Sequence, residues 1–186
     1  MDQICRKWWK FNLTCRTGQK YKNENFFNAN WSALIVPLIG ADVEFFDMLV
    51  GDVNGTVKAG SNTYEWNTWA DVLKPKQGTE VLATYSDQFY KDKAAVVTRK
   101  LGKGTITYIG VESKDGKLER QIVRSIYDKA KVAIEDLPKG VFIEWRDGFY
   151  VGVNYTNDPI RLPIPQGSKI LVGENPLQPA QTIIWK

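Results

Sequence analysis

Two β-rich arms surround a glycine-containing centre in residues 94–111, AAVVTRKLGKGTITYIGV. Ala95, Val97, Ile106 and Tyr108 are apolar positions of the arms, and Leu101-Gly102-Lys103-Gly104 lies between them. Glycine accepts positive φ without steric cost, so the pattern predicts a β-hairpin. Upstream, Tyr64, Trp66 and Thr68 alternate with Glu65 and Asn67, the spacing of a half-buried strand within Thr63–Leu73. Thr56–Ala59 and Glu80–Tyr85 are strand-like, as is the VEFFDML run that carries Val43, Phe45 and Met48. Asp52-Val53-Asn54-Gly55 contains an Asn-Gly turn signal.

The period changes in residues 117–133, KLERQIVRSIYDKAKVA. Leu118, Ile122, Ile126 and Ala130 recur at fourth positions, widened by Val123 and Tyr127, so a helix is predicted with Glu119 and Arg120 on its solvated side. A short helix is expected in WSALIVPLI, limited by Pro37 and C-capped by Gly40. Residues 1–30 are polar, basic and irregular, and read as mostly coil. Leu137-Pro138-Lys139-Gly140 marks the expected boundary. Beyond it VFIEW and FYVGVNY flank the turn Arg146-Asp147-Gly148, and IRLPI, KILVG and TIIWK follow. About five such strands suffice for a small antiparallel sandwich supported by its neighbour. Three segments result: an irregular basic N-terminal stretch over 1–30, an α/β domain over 31–137 and a β domain over 138–186.

Length limits what this pattern can build. A (β/α)8 barrel takes roughly 250 residues and at least about 200, whereas this chain has 186 and lacks eight strand–helix units. The seven Trp residues lean towards β-structure. Histidine is absent, which excludes Ser-His and Cys-His nucleophilic pairs, HExxH zinc sites and an imidazole base. Cys5 and Cys15 have no metal-like spacing; they are either plain thiols or a disulfide pair.

The net charge of +4 falls entirely in residues 1–33, which hold six Lys/Arg against Asp2 and Glu24. With Trp8, Trp9 and Phe11 this arm has the residues to stack on bases or sit at a membrane surface. The favoured reading is a solvated segment, with neither nucleic acid nor membrane as partner. No apolar run approaches the roughly 20 residues of a membrane span. The start, MDQICRKWWKFNL, lacks the apolar core of a signal peptide, and a cytoplasmic location is the expectation.

Candidate chemistry is sparse. Retaining glycoside hydrolysis needs two carboxylates about 5–5.5 Å apart. Glu44, Glu65, Glu80, Glu112, Glu144 and Glu174 supply carboxylates, but their segments read as surface strands and loops. Gly102-x-Gly104 lies between two strands, not between strand and helix, so it is a turn and not a phosphate loop. Asp47, Asp52 and Asp71 lack EF-hand spacing. Asn12-Leu13-Thr14 and Asn154-Tyr155-Thr156 fit the N-x-[ST] pattern, a weak signal. No catalytic, cofactor-binding or metal-binding residue is assigned, and no cofactor is expected. Trp145, Phe149, Tyr150 and Tyr155 are candidates for stacking on sugar rings, with core packing or interdomain contact as the favoured alternative.

Several segments, in order, carry a resemblance: LTCRTGQK, LIGADVEFFDML, TWADVL, EVLATY, DQFY, AAVVTRKLGKG and TYIGV, then PKGVFIEWRDGFYVGVNYT and ILVGE. From about Leu13 onward the chain resembles the non-catalytic trimerisation middle domain and the C-terminal β domain of glycoside hydrolase family 42 β-galactosidases. The first dozen residues match neither. The resemblance implies an α/β fold, a partial, strand-rich flavodoxin/glutamine-amidotransferase-like domain, followed by a small antiparallel β-sandwich. It implies a fragment without the catalytic barrel and without the leading βα units of the middle domain. The implied function is oligomerisation, as a homotrimer, and support. Retaining hydrolysis of terminal β-galactosides would be performed by two glutamates of the parent enzyme that are not in this chain. A free-standing carbohydrate-binding module is the alternative. An incomplete α/β layer would expose apolar faces and lead to self-association or a rearranged core.

Overall fold

A computed structural model describes residues 10–18 and 34–186. The chain divides into two units, one ending at Ala133 and the other running from Ile134 to Lys186. In the first, the strands are β1 (Lys10–Thr14), β2 (Ala41–Asp47), β3 (Gly55–Ala59), β4 (Asn62–Pro75), β5 (Thr79–Tyr85), β6 (Ala94–Leu101), β7 (Gly104–Ile109) and β8 (Val111–Ser113). Two helices accompany them, α1 (Val36–Ile39) and α2 (Lys117–Ala130). One sheet takes all eight strands in the order β1-β7-β6-β5-β3-β4-β2, with β8 added on β4. It is mixed: β1 runs parallel to β7 and the other pairs are antiparallel.

β4 organises this unit. Trp66 pairs with both Gly55 of β3 and Ser113 of β8, and Ala70 with both Asp47 of β2 and Val111 of β8. One edge of β4 therefore carries β3 then β2, and the other carries β8. The alternation expected through Tyr64, Trp66 and Thr68 fails at Thr68, which is exposed, while Trp69–Leu73 is buried on both faces. The reason is coverage: α2 residues Leu118 and Ile122 pack with Trp66, Val72, Val96 and Ile109 on one face. Ile35 and Ile39 pack with Leu73, Val97, Ile106 and Tyr108 on the other.

The 94–111 hairpin forms as its pattern predicts, with Leu101 opposite Gly104. Gly102, at φ 59°, takes the first central position of a two-residue turn, and Gly104 is a buried strand residue. The helix over 117–133 also forms but stops at Ala130, because Lys131 adopts the left-handed conformation and its N–H returns to the carbonyls of Tyr127 and Asp128. Glu119, expected in solvent, instead reaches back to accept from the Ser113 backbone N–H at 2.7 Å and from the Ser113 hydroxyl. α1 is a single turn with Pro37 near its start and Gly40 as left-handed C-cap. Within the stretch expected to be irregular, Lys10–Thr14 is a strand, held by parallel pairing with β7 that local composition does not encode. Residues 1–9 and 19–30 of that stretch lie outside the described residues.

Asn54-Gly55 is not a turn. Gly55 opens β3, and a Cβ there would lie 2.5 Å from Nε1 of Trp66, so the glycine is needed for space. Gly55→Ala is expected to cost about 1–3 kcal/mol through overpacking. A urea titration followed by far-UV circular dichroism checks this; an unchanged midpoint would show that the indole moves aside freely.

The second unit has β9 (Val141–Arg146), β10 (Phe149–Asn154), β11 (Ile170–Val172) and β12 (Thr182–Trp185), in one antiparallel sheet ordered β11-β12-β10-β9. The β9–β10 turn at Asp147-Gly148 agrees with its sequence signal, both residues having positive φ. Four strands form where about five were expected. IRLPI supplies an isolated bridge, Ile160 to Leu177, because Pro163 and Pro165 lack the N–H groups a ladder needs. Leu162, Leu177 and Ile183 cover one face together with Val141 and Trp185.

Candidate functional site

Among the described residues, Asp71 is the fully buried carboxylate. It lies on β4, where alternation places Trp69 two residues away on the same face, and the Trp69 Nε1–H donates to Asp71 Oδ1 at 2.8 Å. Tyr108, on β7, donates its hydroxyl to Oδ2 at 2.6 Å, and the Arg16 backbone N–H donates to the same oxygen at 3.4 Å. Tyr85 donates to the Asp71 carbonyl at 3.0 Å, and the Asp71 N–H donates to Gly110 at 2.6 Å. One side chain thus ties β4 to β7 and to the segment after β1. Burial raises the Asp71 pKa above its ordinary 3.8, against the lowering by Tyr108, Trp69 and Arg16.

An open cleft of about 480 Å³ has a lining that includes Cys15, Arg16, Glu112 and Glu119. The Arg16 guanidinium lies 4.9 Å from the centre of the Trp69 ring and 3.6 Å from Glu112. Among the described residues Cys15 has no disulfide partner, and burial, followed by the charges of Asp71 and Glu112, pushes its thiol pKa up to about 11. At neutral pH it stays protonated and weakly nucleophilic. The arrangement is a clamp: it can hold a proton on Asp71, but its thiol is not activated. A pairing of Cys15 with Cys5 involves a residue outside the described set.

The glutamates considered for hydrolysis, Glu44, Glu65, Glu80, Glu112, Glu144 and Glu174, are all exposed. Glu44 and Glu65 pair with Lys93 and Lys114 at 3.0 and 3.7 Å. Of the aspartates, Asp47 accepts from Tyr90 at 2.6 Å on β2, and Asp52 is exposed, so they do not gather with Asp71. Among the described residues no group of acidic, Cys or His side chains is placed to hold a metal ion.

The second unit separates the four aromatic candidates. Trp145 and Tyr150 are cross-strand partners on the face that carries Trp185, on which Tyr150 stacks at 5.5 Å. Phe149 and Tyr155 lie on the opposite face, where Tyr155 meets Phe142 edge-on at 5.9 Å. All four are exposed, Trp145 at 61% and Tyr155 at 72%, so packing into the core is not their role in this unit.

A further surface is apolar. The segment joining β2 to β3 exposes Met48, Val50 and Val53, with Val50 78% exposed. Beside it Phe46 stacks on Trp69 at 4.6 Å and Phe89 stacks on Phe45 at 5.5 Å, Phe89 remaining 83% exposed. The sequence pattern places Met48 in the VEFFDML strand and Val53 in a turn signal, whereas β2 ends at Asp47 and both residues lie in this loop.

The model of the β-galactosidase trimerisation domain family matches residues 10–133, two-thirds of the chain. The chain belongs to this family. The trimerisation-domain match begins at Lys10, in β1, so it takes in residues that the sequence reading left unassigned. β-Galactosidase BgaH of Haloferax lucentense is 30% identical over 173 residues, which cover 92% of this chain and 26% of that enzyme. The solved β-galactosidase of the Antarctic haloarchaeon Halorubrum lacusprofundi superimposes with a TM-score of 0.81 at 26% identity, covering 99% of this chain and 28% of the other. Gan42B, a GH42 β-galactosidase, shares the fold at TM-score 0.78 and 20% identity, over 99% of this chain and 28% of its own. The trimerisation-family chain described here thus spans about a quarter of the length of the enzymes it matches. Among the described residues no helix is long and apolar enough to cross a membrane.

Proposed function

We propose that these residues form a non-catalytic oligomerisation and support region of a family 42 β-galactosidase, joining copies into a homotrimer. The match to the trimerisation domain over residues 10–133 carries this reading. In it, retaining hydrolysis of terminal β-galactosides belongs to a barrel outside the 186 residues. The first unit is then the later portion of a flavodoxin-like domain, a reading supported by the parallel β1–β7 pair and by helices against opposite faces of the sheet. The second unit is the small sandwich-type domain, its second layer supplied by the bridged segments around Ile160 and Leu177.

The apolar loop between β2 and β3 is the surface through which the copies meet. A closed threefold ring uses heterologous contacts, in which this loop meets a different surface of the next copy. Met48, Val50 and Val53 leave water when that happens, which favours association. Light scattering on the purified chain is expected to return three times the 21.2 kDa chain mass. The double variant Met48→Asp, Val50→Asp is expected to return one chain mass with an unchanged circular dichroism spectrum. A single-chain mass for the unaltered protein would remove the assembly function from these residues. A trimer that persists in the variant would move the interface elsewhere.

A further inference from the structure

We infer that the second unit binds a neutral oligosaccharide in the polar cleft formed by residues 173–182, with the Phe142–Tyr155 pair as its aromatic platform. The cleft is open, about 530 Å³, and is lined by Glu174, Gln178, Gln181 and Thr182 together with Gly173 and Pro176. All four polar side chains are exposed. Carboxylate, amide and hydroxyl groups together supply both donors and acceptors, as a ring of sugar hydroxyls requires.

The loop that presents them is pinned. Asn175 accepts from the Leu162 N–H and donates to the Leu162 carbonyl, both at 3.0 Å. Leu177 and Ile160 exchange backbone hydrogen bonds at 2.8 and 2.9 Å. The Ala180 N–H donates to Asn154 and the Gln181 N–H donates to Gln178, at 2.9 and 3.2 Å. A loop fixed at three points loses little further freedom when a ligand arrives, so even a few hydrogen bonds translate into affinity.

One residue of the lining, Thr182, shares a face with the platform. Val153 pairs with Thr182 on one side and with Phe142 on the other, so these three side chains form one row across β12, β10 and β9. Phe142 therefore lies two strand spacings from Thr182, about 9–10 Å. That distance suits a ligand of two or more sugar rings, hydrogen-bonded at one end and stacked by its apolar face at the other. Phe142 and Tyr155, at 53% and 72% exposure, are open to such stacking. Glu174 is the ionisable side chain of the lining, and its negative charge favours neutral sugars over acidic ones. Trp145 lies on the opposite face and takes no part.

Saturation-transfer NMR with the full chain and β-1,4-linked galactotetraose is the test, with cellotetraose and tetragalacturonate as comparison probes. The expected result is saturable binding of a neutral tetrasaccharide in the millimolar range. Tyr155→Ala should weaken it at least tenfold, Glu174→Ala with Gln178→Ala should abolish it, and Trp145→Ala should leave it unchanged. Circular dichroism confirms that the variants fold. No saturable signal from either neutral probe would overturn the inference, as would binding lost in Trp145→Ala but kept in Tyr155→Ala, or tighter binding of tetragalacturonate. The readout is independent of the chain's mass in solution, so it stands or falls apart from the trimer.

Discussion

Replacing Trp66 by alanine is expected to lower the stability of the first unit by about 3–5 kcal/mol, a large share of what a domain of this kind possesses. Trp66 is fully buried in the middle of the sheet, with Gly55 paired on one edge and Ser113 on the other. Its indole lies against the Gly55 backbone, and its ring meets Tyr85 edge-on at 5.9 Å. Because Gly55 carries no side chain, nothing from that side can fill the vacated space, and the cavity term applies nearly in full. Trp66 Nε1 has no hydrogen-bond partner among the described residues. Trp66→Phe therefore forfeits volume but no hydrogen bond, and is expected to cost about half as much or less. Urea titration by circular dichroism orders the two variants. A loss below about 1 kcal/mol for Trp66→Ala would mean that the sheet closes over the gap.

Asp71→Ala is expected to cost about 3–5 kcal/mol for a different reason. It leaves the Tyr108 hydroxyl and the Trp69 indole N–H buried without their acceptor, and each stranded donor carries a desolvation penalty of roughly 1–3 kcal/mol. The carboxylate also makes stability depend on pH. Burial outweighs the three donors, so the folded pKa lies above the ordinary 3.8 and the folded state holds the proton more tightly than the unfolded chain. The stability this provides is complete below pH 3.8 and is lost as pH rises through the folded value. Asp71→Asn cannot titrate and removes that decline. Its stability relative to the unaltered protein is expected to improve as pH rises from about 4 towards neutral. A difference that stays flat over that window would show that the donors balance the burial.

The Asp71 clamp illustrates what a linear reading misses. In sequence Asp71 is one of several aspartates, and its partners Tyr108 and Arg16 are 37 and 55 residues away. Nothing local announces a buried carboxylate, although the apolar run from Trp69 to Leu73 in which it sits is a usable signal. The polar cleft of the second unit was equally hidden. Glu174 was legible as a surface carboxylate, but Gln178, Gln181 and Thr182 are ordinary loop residues until Asn175 and Leu177 fix the loop beside β12.

The amino-acid sequence by itself determined the elements whose information is local. The 94–111 hairpin follows from paired β-rich arms around Gly102, the Asp147-Gly148 turn from its two residues, and α2 from the fourfold recurrence of Leu118, Ile122 and Ile126. Ordered motifs also carried the family assignment. Tertiary structure alone decided what depends on a distant partner. β1 became a strand because β7 offered an edge, and Gly55 became a spacer because Trp66 needed room. Likewise, Thr68 is exposed where the β4–β8 register shifts between Trp66 and Ala70, and IRLPI kept a single bridge because Pro163 cannot donate. The physical division is between torsional preferences, which a residue carries with it, and burial and pairing, which exist only once the chain has brought its remote parts together.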